Sequence, residues 1–206
     1  MRLIDIHTHN KEPEGVAIYN GGTSSLAGRC ISIGIHPWHI GTNWEEVFDA
    51  ITAIANADHV VAIGECGLDN AKTTASPDLQ EKIFRAHIAL SEKLHKPLII
   101  HCVKAHDRLL ALRKESAPAQ PWVIHGFRGK PQQAEQLVKA GLYISFGALF
   151  NADSVKAVPK ERIFVESDES GLPIEEIYKS IAKAKGISTE ELAEQTEENS
   201  RIFGIF

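Results

Sequence analysis

At 206 residues, 43% apolar and 24% charged, the chain has the size and composition of one soluble globular domain, read as spanning 1–206, and can bury a substantial core. A net charge of −5 and a pI near 6.1 exclude a global basic field for nucleic acid or membrane, so an anionic substrate must be held locally. Cys30, Cys66 and Cys102 have no metal-finger spacing and form no disulfide framework; Arg2 and Asp5 interrupt the first apolar run, and no apolar stretch approaches ~18 residues, so the expectation is a cytoplasmic protein without membrane contact.

Short β-rich runs alternate with helical patterns from residue 43 onward, the pattern of an α/β protein with parallel strands. Strands are expected near 3–7, 16–20, 31–35, 60–64, 97–101, 121–125, 142–146 and 162–166, and eight parallel strands suggest a closed TIM-type (β/α) barrel. Between the first and third strands lie only Thr8 to Cys30, a segment containing Gly15, Gly21, Gly22 and Gly28, so the first two helices are expected to be reduced to loops. The outer faces of the second and third strands, at Val16, Ile18, Ile31 and Ile33, then need another cover. The candidates are the C-terminal segment from Leu192, with Ile202, Phe203, Ile205 and Phe206, or a second copy; the chain is read as a monomer or weak homodimer.

Further along, Asn43 with Glu46 reads as a capping box for a helix over 44–57, and Ser76-Pro77 opens one that runs to about His95. Leu109, Leu110 and Leu112 mark a helix near 105–116, and Pro131 opens another that stops at Gly141. A helix over 173–185 closes at Gly186, and Ser188 with Glu191 caps the last.

The strand ends carry the chemistry. His7 and His9, two residues apart in an extended segment, point the same way. The third strand ends in His36-Pro37, the fourth in Glu65, the fifth in His101, the sixth in His125, and the eighth is followed by Glu166-Ser167-Asp168. In a parallel barrel these C-terminal ends share one face, where barrel enzymes keep their active sites. His7, His9, Glu65, His101, His125 and Asp168 supply the nitrogen and carboxylate donors that a pair of divalent ions requires. Cys66 and Cys102 read as small buried thiols rather than nucleophiles; Trp122 reads as core, and Trp38 is open to a core or a base-stacking role. His39, His59, His87, His95 and His106 read as surface or helix residues.

In order, Asp5-Ile-His-Thr-His9, Gly34-Ile-His-Pro37, Ile63-Gly-Glu-Cys-Gly-Leu-Asp69, Ile100-His101, His125-Gly-Phe-Arg-Gly129, Gly141-Leu-Tyr-Ile-Ser-Phe146, Val165-Glu-Ser-Asp168 and Asn199-Ser-Arg-Ile-Phe-Gly204 resemble the motifs of TatD-type metal-dependent hydrolases, a branch of the amidohydrolase-like barrels. The resemblance implies one or two divalent cations and ester hydrolysis, with phosphodiester cleavage in DNA the best-known activity, so a deoxyribonuclease acting on DNA or a small phosphodiester. It implies His7, His9 and Asp168 on the first ion, Glu65 bridging, and His101 and His125 on the second. Asp168 and Glu65 would be the catalytic carboxylates, with Asp168 taking the proton of the attacking water, and His36 would contact a substrate phosphate. His and carboxylate ligands suit Zn, Mn, Co and Ni alike, and Mg less comfortably.

Two motifs depart from the family pattern. Cys102-Val-Lys104 stands where a serine-arginine-acid run is usual, and Arg128 where a serine is; Lys104 and Arg128 could restore the phosphate-binding charge. Two other readings remain: a barrel hydrolase of another small ester, amide or phosphomonoester, and a non-catalytic metal-binding barrel. Glu65 in place of a carbamate-forming lysine weighs against the first, and the full ligand set against the second.

Overall fold

The computed structural model describes residues 2–13, 15–21 and 29–205. Among these, eight strands and seven helices occur in the order β1 (Ile4–Thr8), β2 (Val16–Asn20), β3 (Cys30–Ile33), α1 (Trp44–Ile54), β4 (Val60–Asp69), α2 (Pro77–Leu94), β5 (Leu98–Val103), α3 (His106–Ser116), β6 (Trp122–Ile124), α4 (Pro131–Lys139), β7 (Tyr143–Phe146), α5 (Ala152–Ala157), β8 (Ile163–Val165), α6 (Ile174–Lys185) and α7 (Thr189–Asn199). The sheet takes its strands in chain order, and beyond β8 the chain is bonded back onto β1 through a parallel bridge between Thr8 and Asp168. Asp168 N–H donates to His7 O at 2.9 Å and His9 N–H donates to Asp168 O at 3.0 Å. Joining the last strand to the first closes the sheet as a (β/α) barrel. Among the described residues no helix is long and apolar enough to cross a membrane.

Two compact units are distinguishable, Met1–Tyr19 with Val123–Phe206, and Asn20–Trp122. In the first, β6, β7 and β8 pair in parallel, with Val123 opposite Tyr143 and Ile144 opposite Ile163. All five residues of β1 are buried. Ile174, Ile177, Tyr178 and Ile181 form one buried stripe on α6, and the fully buried Tyr178 turns its hydroxyl into the β1 backbone. That hydroxyl donates to Ile4 O at 2.8 Å, accepts from Ile4 N–H at 3.1 Å and lies 2.8 Å from Thr196 Oγ1 of α7. The six-residue α5, absent from the sequence reading, is nucleated by Asn151, whose side chain accepts from the Asp153 and Ser154 N–H groups.

The C-terminal segment covers a different flank from the one expected. α7 packs against β1 and β8, and Phe203 packs on Phe164 with ring centroids 5.5 Å apart. Ile18, Ile31 and Ile33 are nonetheless fully buried. No helix occurs among the described residues between β1 and β3, as the short connection requires, while Gly22, Gly28 and Phe206 lie outside the described residues.

In the second unit β3, β4 and β5 pair in parallel. β4 does not stop at Gly64 but runs buried to Asp69, so Glu65 lies within the strand. Two glycines permit this. A Cβ on Gly64 (φ +144°) would meet Ile99 O at 2.3 Å, and one on Gly67 (φ +142°) would meet His101 O at 2.0 Å; neither backbone angle nor spacing admits a side chain. Ser76 caps α2 by accepting from Leu79 N–H, as its position predicts, whereas Asn43 makes no side-chain cap and α1 ends at Ile54.

Of the two placements read for His87, surface or helix, the structure gives the helix. His87 is fully buried on α2, where Nδ1–H donates to Ile83 O at 2.8 Å and Nε2 accepts from Ile35 N–H at 3.0 Å, pinning the chain just before His36. Burial lowers its pKa from 6.5 to about 4, the Ile83 bond opposing only part of the shift. The folded state therefore keeps His87 neutral where the unfolded chain would protonate it, and stability is lost as pH falls from about 6.5 to about 4, by on the order of 3 kcal/mol at completion. Urea unfolding at pH 7.5 and pH 4.5 should show a smaller acid-induced loss in His87→Gln than in the parent; equal losses would remove His87 as the cause.

Candidate metal centre and active site

In the first unit the pairing beyond β8 decides what gathers around Asp168. Its backbone is fixed between His7 and His9 in a left-handed conformation, φ +52°, which aspartate tolerates better than most residues. From there Asp168 Oδ1 lies 3.7 Å from His7 Nε2 and 3.8 Å from His9 Nε2. These gaps are too long for hydrogen bonds and a little wider than the ~3.0–3.4 Å that separates two donors on one ion with bonds near 2.1 Å. His125, at the end of β6, brings its ring to 4.3 Å from that of His7, and His7, His125 and Asp168 offer donor atoms all within 4.8 Å of one another.

Buried carboxylates hold these groups in place. Glu166 Oε1 accepts from Gly126 N–H at 2.6 Å and lies 3.4 Å from His125 Nδ1. Burial alone would raise the Glu166 pKa, but the charge and hydrogen bond of His125, with help from His7 and Ser145, bring it below the ordinary value. Asp5 accepts from Ser167 N–H at 3.0 Å and Ser167 Oγ–H at 2.6 Å, and Ser167 Oγ lies 2.7 Å from Thr8 Oγ1. Burial pushes the Asp5 carboxyl up to about 7 in spite of those donors.

The second unit holds another group, in which Glu65 Oε1 lies 3.1 Å from both His36 Nε2 and His101 Nδ1 while Glu65 Oε2 accepts from Asn20 Nδ2 at 3.0 Å. The two histidines differ in what they can do. His36 Nδ1 accepts from Trp38 N–H at 3.0 Å, which places the ring proton on Nε2 and makes neutral His36 a hydrogen-bond donor rather than a metal ligand through that nitrogen. Burial, partly offset by Glu65, lowers its pKa. His101 is set the other way: Nε2 bonds to Asp69 Oδ2 at 2.9 Å, and in the tautomer with its proton on Nε2 the Nδ1 lone pair would be left for a metal ion held together with Glu65. Burial would raise the Asp69 pKa, but donors from His101, Trp38, Ala71 and Lys72 outweigh it and hold the carboxyl at about 2, an acceptor at any working pH.

The remaining substrate-binding candidates, Lys104 after β5 and Arg128 after β6, are both exposed. The Cys66 thiol is buried and pushed well above its ordinary pKa by burial, and that of Cys102 is pushed up to about 12 for the same reason, which suits packing and not nucleophilic attack.

A family model described as TatD related DNase matches residues 23–204. The chain belongs to the TatD family. Its relatives include a 3'-5' ssDNA/RNA exonuclease TatD from Klebsiella pneumoniae, 34% identical over 88% of this chain and 80% of that protein. YabD of Bacillus subtilis, named as an uncharacterized metal-dependent hydrolase, is 32% identical over 84% of this chain and 77% of its own. Among solved structures, the TatD homolog YJJV from Escherichia coli K12 superposes with a TM-score of 0.84 over 98% of this chain and 97% of that one; at 20% identity it shares the fold.

Within this TatD-family chain the sequence reading passed over Glu166, Asp69 and Asp5 as site residues. Each had a readable signal: Asp5 precedes His7, and Glu166 precedes Asp168, by the two-residue step that keeps side chains on one face of extended chain, and Asp69 ends the β4 motif. If His125 is a ligand, Glu166→Gln should preserve the fold, remove the anion behind the imidazole and weaken Mn²⁺ or Zn²⁺ binding by about 10- to 100-fold. Calorimetric titration of the metal-free protein measures this, and unchanged affinity would detach Glu166 from metal binding.

Proposed function

We propose that the chain is a divalent-metal-dependent phosphodiesterase that acts on single-stranded nucleic acid, DNA foremost, with residues 1–206 working as one TatD domain. The observation that carries this reading is the convergence of donor atoms from His7, His125 and Asp168 within 4.8 Å of one another, in a chain related to an enzyme named as an ssDNA/RNA exonuclease. The donor chemistry fits a divalent ion: imidazole nitrogens and a carboxylate, with His9 beside the same Asp168 oxygen. His7, His9, His125 and Asp168 would hold metal in the first unit, and Glu65 with His101 in the second. When bound, such an ion lowers the pKa of a coordinated water toward ~7 and polarises the phosphoryl oxygen.

The chain's own groups supply the rest. Asp168, a quarter exposed and held at its backbone, accepts the proton of the attacking water. His36 Nε2–H donates to a non-bridging phosphate oxygen, a role open to it because its other nitrogen is already engaged by Trp38. Asp69 and Glu166 hold His101 and His125 in one ring orientation, so little rearrangement is needed when charge develops on the phosphate. Exposed Lys104 and Arg128 add positive charge for the strand, which an acidic protein needs locally.

Protein reconstituted separately with Mn²⁺, Zn²⁺, Co²⁺, Ni²⁺ and Mg²⁺ should cleave single-stranded DNA and a bis-aryl phosphodiester, with excess chelator abolishing both. Preference for a phosphomonoester or a carboxyl ester, or activity unaffected by chelation, would overturn the assignment. Asp168→Asn should keep the fold and lower turnover by about 10² or more; parental turnover would remove Asp168 from the mechanism. Rising salt should raise KM for DNA, and Lys104→Ala with Arg128→Ala should flatten that dependence. A slope unchanged in the double variant would take both residues out of the substrate site.

A further inference from the structure

One large aromatic beside the second group is neither buried nor free to move. Trp38 lies in the 3-10 turn Pro37–His39 and is 44% exposed, whereas Trp122 is fully buried against Phe84. An exposed tryptophan normally samples several rotamers, but this one is tied at both ends. Its indole Nε1–H donates to Asp69 Oδ2 at 2.7 Å, and its backbone N–H donates to His36 Nδ1 at 3.0 Å. Asp69 Oδ2 is also the oxygen that bonds His101 Nε2, so ring and histidine share one anchor. The indole stands T-shaped to both His36 and His101, with centroids 4.8 and 5.7 Å away. The exposed Lys72 places its ammonium 4.6 Å from the ring centroid. A half-exposed aromatic plane held by hydrogen bonds, with an exposed cation over it, is a pairing by which proteins hold single strands without reading sequence: a base stacks on the ring and the cation meets the neighbouring phosphate.

We propose that Trp38 is the stacking platform for a nucleobase of the substrate strand next to the phosphate held by His36, with Lys72 leaving the ring face to pair with the adjoining phosphate. The proposal rests on the phosphodiesterase reading and names one subsite of it. The alternative role for Trp38 is positional only, steadying Asp69 and through it His101.

Single-stranded oligonucleotides carrying either a normal nucleotide or a tetrahydrofuran abasic residue, at the terminal or the penultimate position of each end, separate the two roles. At one of these positions the parent should favour the base-bearing strand in kcat/KM by about 5- to 150-fold, the range of one base–aromatic stack. Trp38→Leu should bring that ratio close to one, while Trp38→Phe, which keeps a ring but loses the bond to Asp69, should retain most of it. A positional role would lower kcat on base-bearing and abasic strands by the same factor in both variants and leave the ratio intact, which overturns the proposal, as would absence of discrimination in the parent. Anisotropy of the same labelled strands gives the ratio as binding affinities. If no oligonucleotide is cleaved with any metal, the phosphodiesterase reading fails by that result, and the binding ratio in parent and Trp38→Leu still decides the role of the ring.

Discussion

Two backbone hydrogen bonds, Asp168 N–H to His7 O and His9 N–H to Asp168 O, govern much of what surrounds β1. They pair the chain beyond β8 with β1, so the last strand of the barrel has a partner. They also fix in register the Asp168 carboxylate, which faces both histidines of the first strand. Backbone pairing is suited to this task because it does not depend on which rotamer a side chain adopts, and because breaking it would leave buried donors and acceptors without partners. Ser167, between the two acidic residues, adds a side-chain layer to the same seam through Asp5 and Thr8. Strand pairing and donor convergence here are one structural fact.

The two units orient their histidines by the same physical device. A carboxylate without solvent exposure, Glu166 in one and Asp69 in the other, takes up one imidazole nitrogen and leaves the other facing inward. Burying a carboxylate is costly unless donors surround it. Gly126 N–H and His125 serve Glu166; Trp38, Ala71, Lys72 and His101 serve Asp69. Such an arrangement is worthwhile where a ring must present one nitrogen in one direction, which is the requirement of a ligand.

The strand ends were readable from the sequence, and the metal-ligand candidates were proposed from them. An apolar run that stops on histidine or carboxylate marks both the element and its polar end, and that placed His7, His9, His101, His125 and Asp168 near or just beyond the ends of their strands. Glu65 was placed at a strand end, because Gly64 and Gly67 look like interruptions when in fact they let β4 continue. The supporting carboxylates were harder to see, since an acidic residue gives no sign of burial until its donors are known. Helix α5 has too few residues for a hydrophobic period, and the cover over β2 and β3 could not be assigned because it depends on packing between distant segments. Trp38 was ambiguous for a related reason: exposure and a fixed orientation are both tertiary facts, and no pattern of neighbouring residues distinguishes them from core placement.

Gly64 and Gly67 also limit how this protein can be altered. Replacing glycine with alanine is an ordinary route to a more heat-resistant protein, because it restricts the unfolded chain. At these two positions the route is closed, since the added carbon would fall 2.3 Å from Ile99 O and 2.0 Å from His101 O, against backbone that has nowhere to retreat. Gly67 faces the residue whose ring contacts Glu65, so forcing β4 away from β5 there would unsettle the chemistry together with the sheet. Efforts to harden the protein against heat belong on its helices and exposed loops, and the spacing of β4 against β5 is best treated as fixed.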